Sequence, residues 1–168
     1  MTMTTSDLGT LEINAETETA TITFVRRFHH PIDAVWAALT DPAQRTEWFG
    51  QTQIEPRQGG TIETDPDDPP VPVEMKHMRG TILAWDPPRL LEHEWYQQIV
   101  GHGVVRYDLV PDGNETILTF THRGLSTANA KGFIPGTHAY FDRLAAYLAE
   151  EPIPAWGPRY NELLPAYT

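Results

Sequence analysis

Hydrophobic positions along this chain follow two rhythms. Across several stretches between residues 20 and 122 they alternate with polar ones, the period of half-buried strands. From about residue 126 to 150 they recur every three or four residues, the period of a helix. ATITFVRRF (20–28) predicts a first strand, and Pro31 opens a short helix over 32–41 with Ile32, Val35, Trp36 and Leu39 on one face. Asp41-Pro42 ends it, and residues 42–49 predict another helical turn. Gly59-Gly60 turns into a strand at 61–64. DPDDPPVP (65–72) reads as an acidic, proline-stiffened loop. Strands are predicted at 73–85, 90–97, 103–110 and 115–122, with PDGN (111–114) as a hairpin turn.

One antiparallel sheet and one long helix make an α+β domain. The sheet has an apolar face to cover, and only the C-terminal helix is long enough to cover it. The expectation is a curved antiparallel sheet wrapped on that helix, two short helices after the first strand, and a cavity between sheet and helix. Residues 1–19 read as an N-terminal extension. Residues 151–168, proline-rich and aromatic, read as a tail that packs on the domain.

The long helix carries a contradiction. YFDRLAAYLAEE is a strong helix former, yet Gly132, Pro135 and Gly136 precede it. A helix kinked or broken there, and a pocket widened by it, is expected.

Strand alternation sorts polar residues by face. Arg26 shares a face with Ile22, Phe24 and Phe28. His93 lies with Leu91 and Trp95, and His122 with Leu118 and Phe120. Three polar groups on apolar faces need partners: one another, water, a carboxylate such as Glu94 or Glu63, or a ligand. At a strand end, each could also reach solvent.

Composition narrows the function classes. Twelve basic against 23 acidic residues give a net charge of −11, which disfavours nucleic acid and anionic membrane surfaces as partners. There is no cysteine, hence neither disulfides nor thiol chemistry. MTMTTSDLGT is polar without a basic region, so no secretory leader is expected and a cytoplasmic location is. The seven histidines form no HExxH or other metal-ligand spacing, and no phosphate-binding glycine loop or GxSxG is present. No metal and no cofactor are expected.

RRFHHPIDAVWAALTDPAQRTEWF (26–49) resembles the opening of the AHSA1-like proteins, a branch of the START/SRPBCC superfamily. The resemblance is carried by Arg26, Phe28, Pro31, Val35-Trp36, Thr40-Asp41-Pro42 and Trp48. Gly80, Asp86-Pro87-Pro88, Trp95, His122 and FDRLAAYL (141–148) fit its later landmarks, so the likeness runs from about residue 20 to 150. The tail resembles that of some bacterial members. The resemblance implies the helix-grip fold and a cavity between sheet and helix. It does not name a function, because the superfamily holds lipid and hormone binders, polyketide aromatases and cyclases, and an Hsp90-stimulating domain whose role is not carried over here. Where the family's final helix usually has Gly-Trp, this chain has Gly136-Thr137. A threonine in place of an indole either enlarges the cavity or is compensated by Phe133 or a tail aromatic.

Three functional expectations follow. The first is a binder of a hydrophobic or aromatic small molecule. Its cavity would be lined by Phe24, Trp48, Trp85, Trp95, Phe120, Phe133 and Phe141, with Arg26, His93, His122 or Thr137 fixing the ligand's polar end. The second is a cofactor-free cyclase, dehydratase or hydrolase using His93 or His122 as base and Arg26 as the stabilising cation. It requires the histidine and the cation to converge on one point. The third is an interaction module docking through an exposed patch of tail residues, Trp156, Tyr160, Leu163 and Leu164. The tail alone suggests a monomer or a homodimer.

Overall fold

Eight strands form a single antiparallel sheet that curves around one long helix. The computed structural model describes residues 7–168. Residues 1–6, the start of the polar segment read as lacking a leader, lie outside the described residues. In chain order the elements are β1 (Thr10–Asn14), β2 (Thr19–Phe28), α1 (Ile32–Thr40), α2 (Pro42–Trp48), β3 (Gly50–Ile54), β4 (Thr61–Pro66), α3 (Val73–Lys76) and β5 (Met78–Asp86). Then come β6 (Leu90–Gln97), β7 (Gly101–Asp112), β8 (Glu115–Ser126), α4 (Thr127–Leu148), α5 (Trp156–Leu163) and a 3-10 turn, Leu164–Tyr167. The strand order is β1-β2-β8-β7-β6-β5-β4-β3. This is the expected helix-grip architecture, with α1 and α2 after the first long strand.

Local signals place the helices. Asp41 caps α2 by accepting the Ala43 amide at 3.1 Å, with Pro42 at the first helical position. Ser126 caps α4 by accepting the Asn129 amide at 3.1 Å. The inward faces of β2, β6, β7 and β8 bury Ile22, Phe24, Leu91, Val105, Leu109 and Leu118 against Phe141 and Leu144 of α4.

The structure departs from the pattern in five places. The segment before residue 20 supplies β1, an edge strand paired with β2, whose short and largely exposed run carries little alternation. β3 escaped notice because GQTQI is mostly polar. Residues 73–76 are a helical turn rather than the start of a strand, since Pro72 presets the turn that Met75 and His77 amides close. β8 runs four residues past His122, with Gly124 at φ +87° where other residues would be strained. The tail, for which no element was expected, forms α5.

α4 runs unbroken through Pro135, so the expected break does not occur. Proline removes one hydrogen bond, but this helix is held by burial on two sides rather than by its own propensity. One side meets the sheet and the other meets α5. Gly136 is where α5 docks: a Cβ there would lie 3.0 Å from Trp156 Cζ2. Trp156 Nε1 donates to the Gly136 carbonyl at 3.1 Å, and the Tyr160 hydroxyl donates to the Gly132 carbonyl at 3.0 Å. The helix-breaking residues thus mark the seat of the tail.

Candidate functional site

A cavity of about 400 Å³ lies between the sheet, the first half of α4 and the tail helix. Its wall is aromatic: Phe120 and Phe141 meet edge to face at 5.1 Å, and Phe49 meets Tyr140 at 4.6 Å. β6, β7 and β8 supply Trp95, Gln97, Tyr107, Phe120 and His122; α4 supplies Phe133, Thr137, Tyr140 and Phe141. Pro66, Asp68 and Pro69 close one side, and Trp156 and Tyr160 of α5 another. The tail folds back onto the domain: Leu163 is fully buried and Trp156 and Tyr160 are half-buried, so of the four tail residues only Leu164, 36% exposed, faces outward and they form no continuous exposed patch.

Of the residues expected to line a cavity, Trp48, Trp95, Phe120, His122, Phe133, Thr137 and Phe141 are in the wall. Phe24, Arg26, Trp85 and His93 are not. Trp85 packs on Trp36 of α1 at 5.2 Å, and Phe24 packs between Phe141 and His138. Phe49, Tyr107, Tyr140, Trp156 and Tyr160 were missed. Tyr107 had a visible signal, sharing the inward face of its strand with Val105 and Leu109. Trp156 and Tyr160 sit four apart, but Pro152, Pro154 and Pro158 concealed their helix.

Arg26 is buried but turned away from the cavity. Its Nη1 pairs with Asp142 Oδ1 of α4 at 3.1 Å and its Nε donates to the Asp7 carbonyl at 3.2 Å. Asp142 Oδ2 also receives Arg159 Nε of α5 at 2.7 Å, and His138 Nε2 stands 3.5 Å away. The partner is therefore neither Glu94 nor Glu63. His138, Asp142 and Arg159 went unnoticed because an i, i+4 His–Asp pair on a helix reads as a solvated face. Here the tail covers it. Tyr167 of the last turn takes the Gly9 amide on its hydroxyl at 2.8 Å, and that hydroxyl lies 2.6 Å from His138 Nδ1.

His93 and His122 are both buried in mid-sheet, not at frayed ends. Their register runs His93–Val105–His122 across β6, β7 and β8. His93 lies between Trp95 and Tyr107, its Nδ1 donating to the Glu94 carbonyl at 2.8 Å and its Nε2 unpaired. His122 faces Trp95 and Phe133, at 5.2 and 5.5 Å, and its Nε2 is likewise unpaired. Burial pushes both pKa values from 6.5 down to about 3, and His93 disfavours a proton on His122 further. Both are neutral imidazoles at neutral pH.

The remaining polar groups of the wall are engaged internally. Trp48 Nε1 donates to the Ala38 carbonyl and Trp95 Nε1 to Gln97 Oε1, while Gln97 donates to the Lys76 carbonyl. Thr137 donates back to the Phe133 carbonyl at 3.2 Å, and the Tyr140 hydroxyl donates to the Asp68 carbonyl at 2.9 Å. Arg45 is fully buried without a carboxylate. It donates to Thr52, Thr64 and the Leu39 carbonyl and stacks over Phe49 at 4.9 Å. Burial lowers its pKa, and the neighbouring Tyr107 opposes that.

Among the described residues no helix is long and apolar enough to cross a membrane. No match is found among curated proteins. Solved structures share the fold: CalU16 from Micromonospora echinospora superposes with a TM-score of 0.73 at 23% identity, covering 95% of this chain and 94% of that one. A protein from Bordetella parapertussis gives 0.69 at 24% identity over 99% and 94%. A conserved protein of unknown function from Enterococcus faecalis gives 0.71 at 17% over 94% and 89%. The family model described as activator of Hsp90 ATPase homolog 1-like protein matches residues 29–149, so the chain belongs to that family.

Proposed function

We propose that this protein binds a hydrophobic, aromatic small molecule between its sheet and α4. The observation that carries the reading is the aromatic cavity of about 400 Å³, a size that suits a small organic ligand, with an unpaired His122 imidazole in its wall. The family suggests a ligand-binding fold. Catalysis by the expected trio has less support, because Arg26 is spent on Asp142 and does not converge with His93 and His122. Docking through the tail has less support too, since α5 is seated on α4.

Native mass spectrometry of the purified protein, paired with a thermal-shift screen of aromatic compounds, tests this. A co-purifying mass that denaturation releases, or a stabilising compound, supports binding. No bound mass and no stabilisation by any compound would count against it.

A further inference from the structure

The charge of the cavity wall says what kind of molecule can sit there, if a molecule binds there as proposed above. Asp68 is the one charged residue among the described residues of the wall. Three cations pack around that wall and none belongs to it. Arg45 donates to Thr52, Thr64 and the Leu39 carbonyl. Lys76 donates to the Asp67 and Pro69 carbonyls, both at 3.0 Å. Arg143 donates to the Trp48 and Pro154 carbonyls at 2.9 and 2.6 Å. A carboxylate entering this space would lose its hydration and find no cation, with Asp68 repelling it. Burying an unpaired charge costs far more than burying a hydroxyl.

The wall also offers little to a neutral molecule with many polar groups. Its tryptophan N–H groups, the Tyr140 and Tyr160 hydroxyls, Gln97 and Thr137 are all bonded within the protein, and the Tyr107 hydroxyl faces Arg45. His122 stands apart: its ring is in the wall and takes no hydrogen bond from the protein among the described residues, with Nε2 packed against Gly103, where a Cβ would lie 3.0 Å away, and Nδ1 left to an occupant. A buried polar group without a partner costs about 1–3 kcal/mol, which an occupant supplying that partner recovers.

We infer that the occupant is an uncharged aromatic molecule carrying one hydroxyl or carbonyl set against the His122 imidazole, and that carboxylates are rejected. His122 is then the residue that selects among apolar molecules, by the same logic through which a site built for a hydroxyl rejects the analogue lacking it.

Three probes with one ring system test this by equilibrium dialysis at neutral pH: naphthol, naphthoate and methylnaphthalene. Naphthol is expected to bind at least about tenfold tighter than naphthoate, the size of an unpaired buried charge or hydrogen bond. His122→Leu is expected to bring naphthol down to the affinity of methylnaphthalene while leaving methylnaphthalene itself within about twofold. Naphthoate binding as tightly as naphthol would overturn the inference, and this comparison needs no variant. A naphthol preference that survives His122→Leu would also overturn it. Methylnaphthalene binding with no preference for naphthol would sink the inference and leave the cavity reading standing. Failure of all three probes would take both down.

Discussion

Arg26 of β2 and Asp142 of α4 meet in the interior, 3.1 Å apart and each about 5% exposed. The pair ties the first long strand to the long helix. Arg159 brings the tail to the same carboxylate from the other side. One aspartate therefore faces two buried guanidinium groups, with Arg159 reaching the exposed Glu162 as well at 2.9 Å, and an arginine that looked like a ligand handle is a structural strut.

Asp142→Asn should be among the most destabilising single changes in this protein. It leaves Arg26 without a carboxylate in a buried setting while Arg159 keeps Glu162 at 2.9 Å, and breaking a buried pair from one side costs about 3–5 kcal/mol. Urea unfolding measures it. A loss below about 1 kcal/mol would mean that both arginines reach solvent and that the network is not a strut.

Acid should weaken the fold over a defined window. His93 and His122 are held neutral, with pKa values of about 3 against an ordinary 6.5. The unfolded chain takes up protons below pH 6.5 that the folded chain refuses, so the unfolded state gains as pH falls. Stability is full above pH 6.5 and declines from there down to about 3. At pH 5 the loss is about 2 kcal/mol for each histidine. Thermal melts of the wild type and of His93→Phe across this range would check it; the variant should show a shallower decline.

The seat of the tail can be tested at Gly136. A Leu side chain there must displace Trp156, since even a Cβ would stand 3.0 Å from its ring. Gly136→Leu should release α5 and expose the Arg159–Tyr160 bond, now protected by the burial of Arg159. Limited trypsin digestion should cut the variant there faster than the wild type. Equal rates would show that α5 is held without this contact.

Much of the architecture was legible in the residues. Alternation in 20–28, 90–97 and 115–122 marked strands because each has one face in the core, and Asp41-Pro42 marked a helix boundary through capping chemistry. β1 and β3 were silent because short, mostly polar strands near sheet edges need no apolar alternation. The faces were read correctly for Arg26, His93 and His122, but alternation gives a side, not a neighbour. Whether a buried polar group faces the cavity or a carboxylate depends on what the helix and tail bring to it. Asp142 and Arg159 lie 116 and 133 residues beyond Arg26 in the chain, out of reach of any local pattern. Likewise Thr137 signalled a gap in the helix stripe, but only the folded tail shows Trp156 and Tyr160 standing at its edge.

The most direct test of ligand binding in the cavity is a pair of thermal-shift titrations with naphthol, one on the wild type and one on Thr137→Trp. Thr137 is half-buried in the wall, so an indole there fills cavity space without uncovering the core. Naphthol should stabilise the wild type in a dose-dependent way and leave the variant's melting temperature unchanged, with the ligand-free variant melting no lower than the wild type by more than a few degrees. Equal stabilisation of both proteins would contradict a ligand site between sheet and helix.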